Sequence, residues 1–241
     1  MPGVPLHITQ RGVDRCPTFL AGDDFAFYRW ALHEAATESD CAIHAYVLMT
    51  NHIHLLTTPA DASGPACMMR SLGKRYVRYF NDRYRRTGTL WEGRYRSALV
   101  DSLPYFFMCS RYIELNPVRA GMVEDPHAYE WSSYRRNAAG LEDGVISEHA
   151  KYTSLGSTPG VRCSAYRAMF ATELTPATIA AVRSAQRGRS KRYSTPYHEA
   201  VDALYRRMTS HDDDAVDGSQ AGQFDDQRGA SPYKPIGSAA G

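Results

Sequence analysis

The segment Val47–Leu56 constrains the fold of this chain most, because it predicts the turn and second strand of a β-hairpin. Side chains alternate between the faces of a strand, so His52 and His54 share one face while Ile53 lies on the other. Two imidazoles at this spacing can place their nitrogens on one divalent metal ion. Without further evidence, a solvated His-x-His pair that binds no metal is the simpler interpretation. Residues elsewhere in the chain are needed to favour a metal site.

Hydrophobic periodicity predicts the element order β-α-β-β-α-β, followed by one further helix. This is the order of a ferredoxin-like split βαβ sheet, so the predicted fold class is α+β. The further helix begins at Leu103 with Ser102 as N-cap, and it ends near Asn116 because Pro117 disfavours helical geometry in the residue before it. The predicted strands are 4–11, 42–49, 52–58 and 94–101, and the predicted helices are about 23–39, 66–86 and 103–116.

Composition divides the chain into three predicted regions: a core domain (1–140), a helical C-terminal extension (141–208) and an acidic tail (209–241). The tail consists mainly of Asp, Gly, Ser, Gln and Ala, and it is expected to be disordered because it lacks large apolar side chains. The extension is predicted to contain three helices and a basic loop, at about 162–171, 176–186, 196–208 and Arg187–Arg192.

The overall charge of +2 hides a division between body and tail. The tail carries six acidic and two basic side chains, which leaves 26 basic and 20 acidic side chains in residues 1–208. A basic body favours a polyanionic partner, although charge alone is weak evidence.

Cysteine usage and hydropathy favour a soluble cytoplasmic protein. The five cysteines are an odd number, widely spread and without a Cys-x-x-Cys pair, which argues against a disulfide framework and a cysteine zinc site. The N-terminus has no apolar signal segment, and no apolar run approaches the length of a membrane span. No membrane partner is expected.

The helix that follows the fourth strand carries the second part of a candidate site. Tyr112 and Asn116 are four residues apart, so they share one face of that helix. A ferredoxin-like sheet with His-x-His on a strand, followed by a helix that bears a tyrosine and an amide, can bring metal, scissile phosphate and nucleophile together.

Three motifs now resemble a known family: Met49–Leu56, Leu90–Ser97 and Arg111–Gly121. Together and in this order they are similar to the single-tyrosine HUH transposases. The most similar branch is the REP-associated tyrosine transposases, which also have the sequence found here at His7–Gly12. The resemblance covers about residues 5–140, and the helical extension is compatible with the C-terminal extension of this branch.

The resemblance implies a metal-dependent reaction on single-stranded DNA. His52 and His54 would hold a Mg²⁺ or Mn²⁺ ion, which polarises the scissile phosphate and neutralises developing charge. Tyr112 would attack in line, leaving a 5′-phosphotyrosine link and a free 3′-OH. The covalent link stores the phosphodiester, so a 3′-OH can rejoin strands without ATP. The chain is thus expected to be an endonuclease and strand transferase.

Three residues are candidates for the third metal ligand. Related insertion-sequence enzymes have a glutamine four residues after the nucleophile, where this chain has Asn116, one methylene shorter. Asn116 is the expected ligand, with Glu114 and His7 as alternatives. Capping of the helix C-terminus is the competing role for Asn116.

Basic residues in several segments are expected to bind the DNA phosphates, and Tyr76, Tyr79 and Tyr84 to stack on unpaired bases or to belong to the core. By resemblance, the DNA is a palindromic hairpin with a short flanking tetranucleotide, bound by a monomer or homodimer. The expected DNA-binding residues are Arg11, Arg70, Lys74, Arg75, Arg78, Arg94, Arg96, Arg189, Lys191 and Arg192.

Two other function classes compete with the transposase. A catalytically silent nucleic-acid-binding module is compatible with the fold, but such a module has no need of His52, His54 and Tyr112 together. A nucleotide hydrolase of the histidine-triad type requires a third histidine where this chain has Leu56, which removes its nucleophile.

Overall fold

A four-stranded antiparallel sheet in the order β2-β3-β1-β4 forms the centre of the structure, a computed structural model that describes residues 1–187. This is the strand order of the ferredoxin-like fold, as predicted. The fourth strand is shorter than the predicted 94–101. The strands are β1 (Leu6–Arg11), β2 (Cys41–Met49), β3 (His52–Pro59) and β4 (Arg96–Leu99).

The first face of the sheet is covered by the two crossover helices, α1 (Gly22–Glu38) and α2 (Gly64–Tyr84). Ile8, Ile53 and Leu55 point into this layer and are fully buried there. Both helices were predicted to within about two residues. Successive side chains of β3 point to opposite faces of the sheet. Because Ile53 and Leu55 point to the first face, His52 and His54 point to the second.

The second face is covered by α3 (Leu103–Glu114), which begins as predicted: Ser102 Oγ accepts a hydrogen bond from Tyr105 N at 3.3 Å. The helix ends two residues earlier than expected. Pro117 lies in the first turn of a separate short helix, α4 (Asn116–Arg119), where its fixed backbone angle suits a helix start.

Residues of the C-terminal extension complete this second layer. Buried side chains of the extension share one cluster with α3. Val145 and Ile146 pack instead against the first-layer cluster at the β2 edge of the sheet, where Ile146 bridges to Ile43. The remaining α-helices of the described residues are α5 (Tyr134–Ala139), α6 (Ala150–Thr153), α7 (Pro159–Ala168) and α8 (Pro176–Gln186). The second predicted extension helix, α8, has the predicted bounds, and α7 begins about three residues earlier than expected.

Some predictions fall beyond the described residues. The helix at 196–208, the tail at 209–241 and the basic residues Arg189, Lys191 and Arg192 lie outside them. Within residues 1–187, no helix is long and apolar enough to span a membrane. All five cysteines lie in this part of the chain and are free thiols.

Gly12 fits a space that no larger residue can enter. A Cβ there would lie 2.4 Å from the carbonyl oxygen of Cys16 and 2.7 Å from Thr18 Cγ2. We therefore expect Gly12→Ala to lower the free energy of unfolding by about 1–3 kcal/mol, as overpacking does. Chemical denaturation measures the change.

Gly73→Ala is the matched control for that substitution. Gly73 lies inside α2, and its added Cβ would meet no atom within 4 Å. This variant should raise the free energy of unfolding by about 0.5–1 kcal/mol because alanine loses less backbone entropy in a helix. Equal effects of the two variants would contradict the assigned role of Gly12.

Candidate active site

A cleft of about 740 Å³ opens on the second face of the sheet, where β1 and β3 meet the end of α3. Antiparallel pairing places Thr9 opposite His54 and Arg11 opposite His52, so their side chains lie side by side on this face. Pairing of β1 with β4 adds Arg96 beside Thr9. Two strands far apart in sequence from α3 therefore form the floor of the cleft.

Both predicted metal ligands, His52 and His54, line this cleft. Their ring centroids are 5.2 Å apart. His54 is buried and His52 is half-buried. The expectation that the two imidazoles share one face of a strand is confirmed.

Asn51, which sequence analysis did not single out, sets the tautomer of His52. Its Nδ2 donates to the Arg15 carbonyl oxygen at 2.9 Å, so its Oδ1 is the atom that faces His52 Nδ1, at 2.7 Å. An amide oxygen only accepts, so His52 Nδ1 carries the proton. The lone pair of His52 Nε2 is then free to bind a metal ion.

His54 is held by a second buried imidazole. His7 Nε2 lies 2.9 Å from His54 Nδ1, and His7 Nδ1 lies 3.8 Å from the sulfur of Cys109. In the tautomer that suits metal binding, His54 Nδ1–H donates to His7 and leaves His54 Nε2 unprotonated. His7 thus occupies the position of a group that orients a metal ligand.

Electrostatics keep these three imidazoles neutral. Burial lowers the pKa of His7 to about 3. The pKa of His52 falls to about 4, mainly through burial and further through the charges of Arg11 and Arg119. Burial also lowers the pKa of His54 well below its usual value, with His7, His52 and the same arginines adding to the effect. Neutral imidazole is the form that ligates metals.

Tyr112, the predicted nucleophile, lies in the last turn of α3 at the wall of the cleft and is only 5% exposed. Its ring packs edge-on against His54 and His7, with centroids 5.7 Å and 5.9 Å away. The guanidinium of Arg119 lies over the same ring, 4.5 Å from its centroid. Three groups thus fix the ring.

Asn116 lines the cleft next to Tyr112. Its Nδ2 donates to the carbonyl oxygens of Tyr112 and Ile113, at 2.9 Å and 3.2 Å, which is the capping role. Its Oδ1 makes no hydrogen bond within the described part of the chain. The donor set of two neutral imidazoles and one amide oxygen fits a divalent cation. The assignment of Asn116 as third ligand stays a prediction.

Glu114, one alternative ligand, faces away from the cleft. Its carboxylate accepts hydrogen bonds from Ser133 Oγ at 2.5 Å, Asn137 Nδ2 at 3.0 Å and Tyr166 OH at 2.8 Å. Burial raises its pKa to about 7, and these hydrogen bonds oppose that rise. Among residues 1–187 no group of three or more His, Cys, Asp and Glu is arranged to hold a metal ion.

Arginines dominate the rest of the cleft. Three of them, Arg11, Arg94 and Arg96, were predicted to bind DNA. Glu92 is the only acidic side chain that the described residues contribute to the lining. The lining arginines that sequence analysis missed are Arg15, Arg119 and Arg183, whereas Arg187 was expected to contact DNA as the first residue of the basic loop Arg187–Arg192.

The predicted basic residues of α2 are not part of this cleft, because α2 packs on the first face of the sheet. They are Arg70, Lys74, Arg75 and Arg78. Arg75 pairs with Glu38 at 2.5 Å and Arg78 with Asp82 at 3.8 Å.

The tyrosines of α2 belong to the core of the first layer. Tyr76 is fully buried, and its hydroxyl donates to the Thr18 carbonyl oxygen at 2.6 Å, so of the two expected roles it has the one in the core. Tyr79 stacks on Phe27 with centroids 4.0 Å apart, and Tyr84 donates to Asp24 at 2.8 Å. Amphipathic periodicity packs these rings inward.

Comparisons with known proteins agree with the motifs and the fold. The family described as IS200-like transposase matches residues 6–116, which span β1 to the end of the Tyr112 helix. Residues 6–116, just under half of the chain, are thus similar to the IS200-like transposases. The resemblance drawn from the three motifs is thereby confirmed for the transposase domain.

One solved structure adds to this match. It is that of a REP-associated tyrosine transposase bound to a REP hairpin, with a TM-score of 0.51 and 19% sequence identity. The aligned part covers 62% of this chain and 88% of that one, and at this identity the likeness is one of fold. No curated protein sequence matches this chain.

Asn51→Ala tests the geometry around His52 in the transposase domain. Without the Oδ1 acceptor, the tautomer and ring orientation of His52 are no longer fixed, so affinity for Mn²⁺ should fall roughly 10- to 100-fold. Electron paramagnetic resonance of free Mn²⁺ measures this. Asn81→Ala is the control, because the Asn81 amide donates to Gly88 O at 3.0 Å on the far layer. Equal affinities would show that Asn51 does not orient a ligand.

Proposed function

We propose that this chain cleaves and rejoins single-stranded DNA beside a hairpin, as a metal-dependent transposase that acts through a 5′-phosphotyrosine intermediate. The observation that carries the proposal is the position of Tyr112 against His54, inside a cleft to which the described residues contribute seven arginines and one carboxylate. A tyrosine hydroxyl, two neutral imidazoles and a strongly cationic wall form a set suited to attack on a phosphodiester.

The metal would be held by His52, His54 and Asn116. When bound, Mg²⁺ or Mn²⁺ supplies charge stabilisation at the scissile phosphate. Tyr112 Oη gives up its proton to solvent and attacks the phosphorus, the bond from phosphorus to the 3′ oxygen breaks, and that oxygen takes a proton from solvent and leaves as a 3′-OH. The new bond joins the tyrosine oxygen to the 5′ phosphate. Attack on this ester by another 3′-OH reverses the step and releases Tyr112.

Arg119 is proposed to position the nucleophile. Its guanidinium lies over the face of the Tyr112 ring, and its Nη1 is buried with no hydrogen-bond partner among the described residues. A buried donor without a partner is costly, and a phosphate oxygen in the cleft would satisfy it. Arg119 would thus hold the tyrosine and the phosphate together.

The proposed substrate follows from the cleft and from the fold relative. The arginine lining suits a nucleic-acid backbone, and the similar structure is of a transposase bound to a REP hairpin. Hairpin DNA with a single-stranded flank is therefore the proposed substrate. Binding without any chemistry, as a domesticated hairpin-binding protein, is the alternative outcome of the test.

Covalent capture tests the nucleophile. Hairpin DNA with single-stranded flanks, labelled at its 3′ end, taken from beside the gene and incubated with the protein and Mn²⁺, should give a labelled band of protein plus DNA on a denaturing gel. Tyr112→Phe should abolish that band while DNA binding persists, because only the attacking oxygen is lost. Tyr95→Phe should leave it unchanged, since Tyr95 packs against the opposite layer. An undiminished adduct in Tyr112→Phe would place the nucleophile elsewhere.

Arg119→Ala should slow adduct formation at saturating DNA by roughly tenfold or more, since it removes both the contact with the ring and a donor to the phosphate. Arg119→Lys keeps the charge but not the planar guanidinium, so its rate should be intermediate. Arg135→Ala, which removes an arginine that contacts His127 O outside the cleft, is the control. A rate in Arg119→Ala equal to that of the control would rule out the positioning role.

A further inference from the structure

Helix α8 belongs to the C-terminal extension, yet its last turn is fixed to the strand that forms the floor of the cleft. Gln186 Nε2 donates to the His7 carbonyl oxygen at 2.7 Å, and Gln186 Oε1 accepts from Thr9 Oγ1 at 3.1 Å. One side-chain amide thus makes two hydrogen bonds to β1, at the residues that flank Ile8.

Packing fixes the rotation of α8 about its axis. Val182 is fully buried in the second core cluster, and Ala185 is buried as well. With these residues turned inward and Gln186 bonded to β1, the positions left facing the cleft are Arg183 and Arg187. Both are exposed, and neither forms an ion pair with another described residue.

The spacing of the two arginines suits a nucleic-acid backbone. Residues four apart share one helical face and lie about 6 Å apart along the axis, which is comparable to the distance between neighbouring phosphates of an extended strand. Both line the cleft that contains Tyr112 and His52. Glu92 is the only carboxylate that the described residues add to that lining. Guanidinium groups in such a position bind phosphate oxygens with paired hydrogen bonds.

We propose that α8 is a second wall of the DNA channel. Arg183 and Arg187 bind two neighbouring phosphates of the single strand that passes Tyr112, and Gln186 sets their distance from the scissile position. The proposal deepens, and rests on, the proposed function above. It assigns a strand-binding role to a helix that lies about sixty residues beyond the segment matched by the transposase family, which ends at residue 116.

The test compares two charge-matched double variants of the full chain. Arg183→Ala/Arg187→Ala removes the wall, and Arg29→Ala/Arg85→Ala removes two arginines of the far layer, on α1 and at the end of α2, that form no ion pair with another described residue. Fluorescence anisotropy measures binding of hairpin DNA with a single-stranded flank across a salt series. Two lost phosphate contacts should reduce the slope of log K against log salt by about 1.4 and weaken binding on the order of tenfold at moderate salt. The control should retain the wild-type slope.

A further variant separates charge from folding. Arg183→Lys/Arg187→Lys should restore most of the salt slope, because lysine also neutralises phosphate, while thermal melting shows that each variant remains folded. Equal slopes for the alanine wall variant and the far-layer control would overturn the proposal. So would a lysine variant as weak as the alanine variant, because the loss would then not depend on charge.

The two proposals fail in different ways. If the wild-type chain forms the adduct but the wall variant behaves as the far-layer control, the wall is wrong and the transposase reaction stands. If the wild-type chain binds no hairpin DNA and forms no adduct, the proposed function fails and the wall fails with it. If the slope of log K against log salt falls only in the wall variant, and the wild-type chain forms the adduct, both proposals are supported.

Discussion

The antiparallel register between β1 and β3 is the constraint on which the site depends. It places Thr9 beside His54 and Arg11 beside His52, and it brings His7 close enough to bond the imidazole of His54. A shift of one residue would turn every one of these side chains to the opposite face, into the layer of α1 and α2. The buried residues Ile8, Ile53 and Leu55 prevent that shift, because it would expose them.

The cleft has a neutral part and a cationic part, which differ in burial. The histidines are buried enough to stay neutral, which suits them to metal binding rather than to phosphate binding. The arginines along the rim stay charged and attract the backbone of DNA. The neighbouring positive charges of Arg11 and Arg119 reinforce this division, because they disfavour protonation of His52 and so lower its pKa further.

Much of the fold could be predicted from local patterns. Alternation in β3 identified the shared face of His52 and His54, and helical spacing placed Tyr112 beside Asn116. The role of α2 was predicted poorly because a stripe of basic residues does not reveal which face of the sheet the helix covers. That information was present in the pattern of Ile53 and Leu55, since both crossover helices of this fold pack on the face to which those residues point.

The missed residues of the cleft had little local signal. Asn51 acts through a turn geometry that its neighbours do not specify, and Gln186 contacts strand residues 177 and 179 positions away in sequence. Arg119 was the exception, since it follows Tyr112 by seven residues, a spacing that returns to the same helical face. The intervening Pro117 concealed it by suggesting that the helix ended there.

The bond between Gln186 and β1 also determines when the cleft is completed during synthesis. The first strand leaves the ribosome early, but the residue that closes the far side of its cleft is made almost at the end of the described chain. Contacts of such long sequence separation form late, after the local elements have folded. A nascent chain therefore contains all four strands, with the histidines and the tyrosine, before it contains the residues that complete a channel for a strand of DNA.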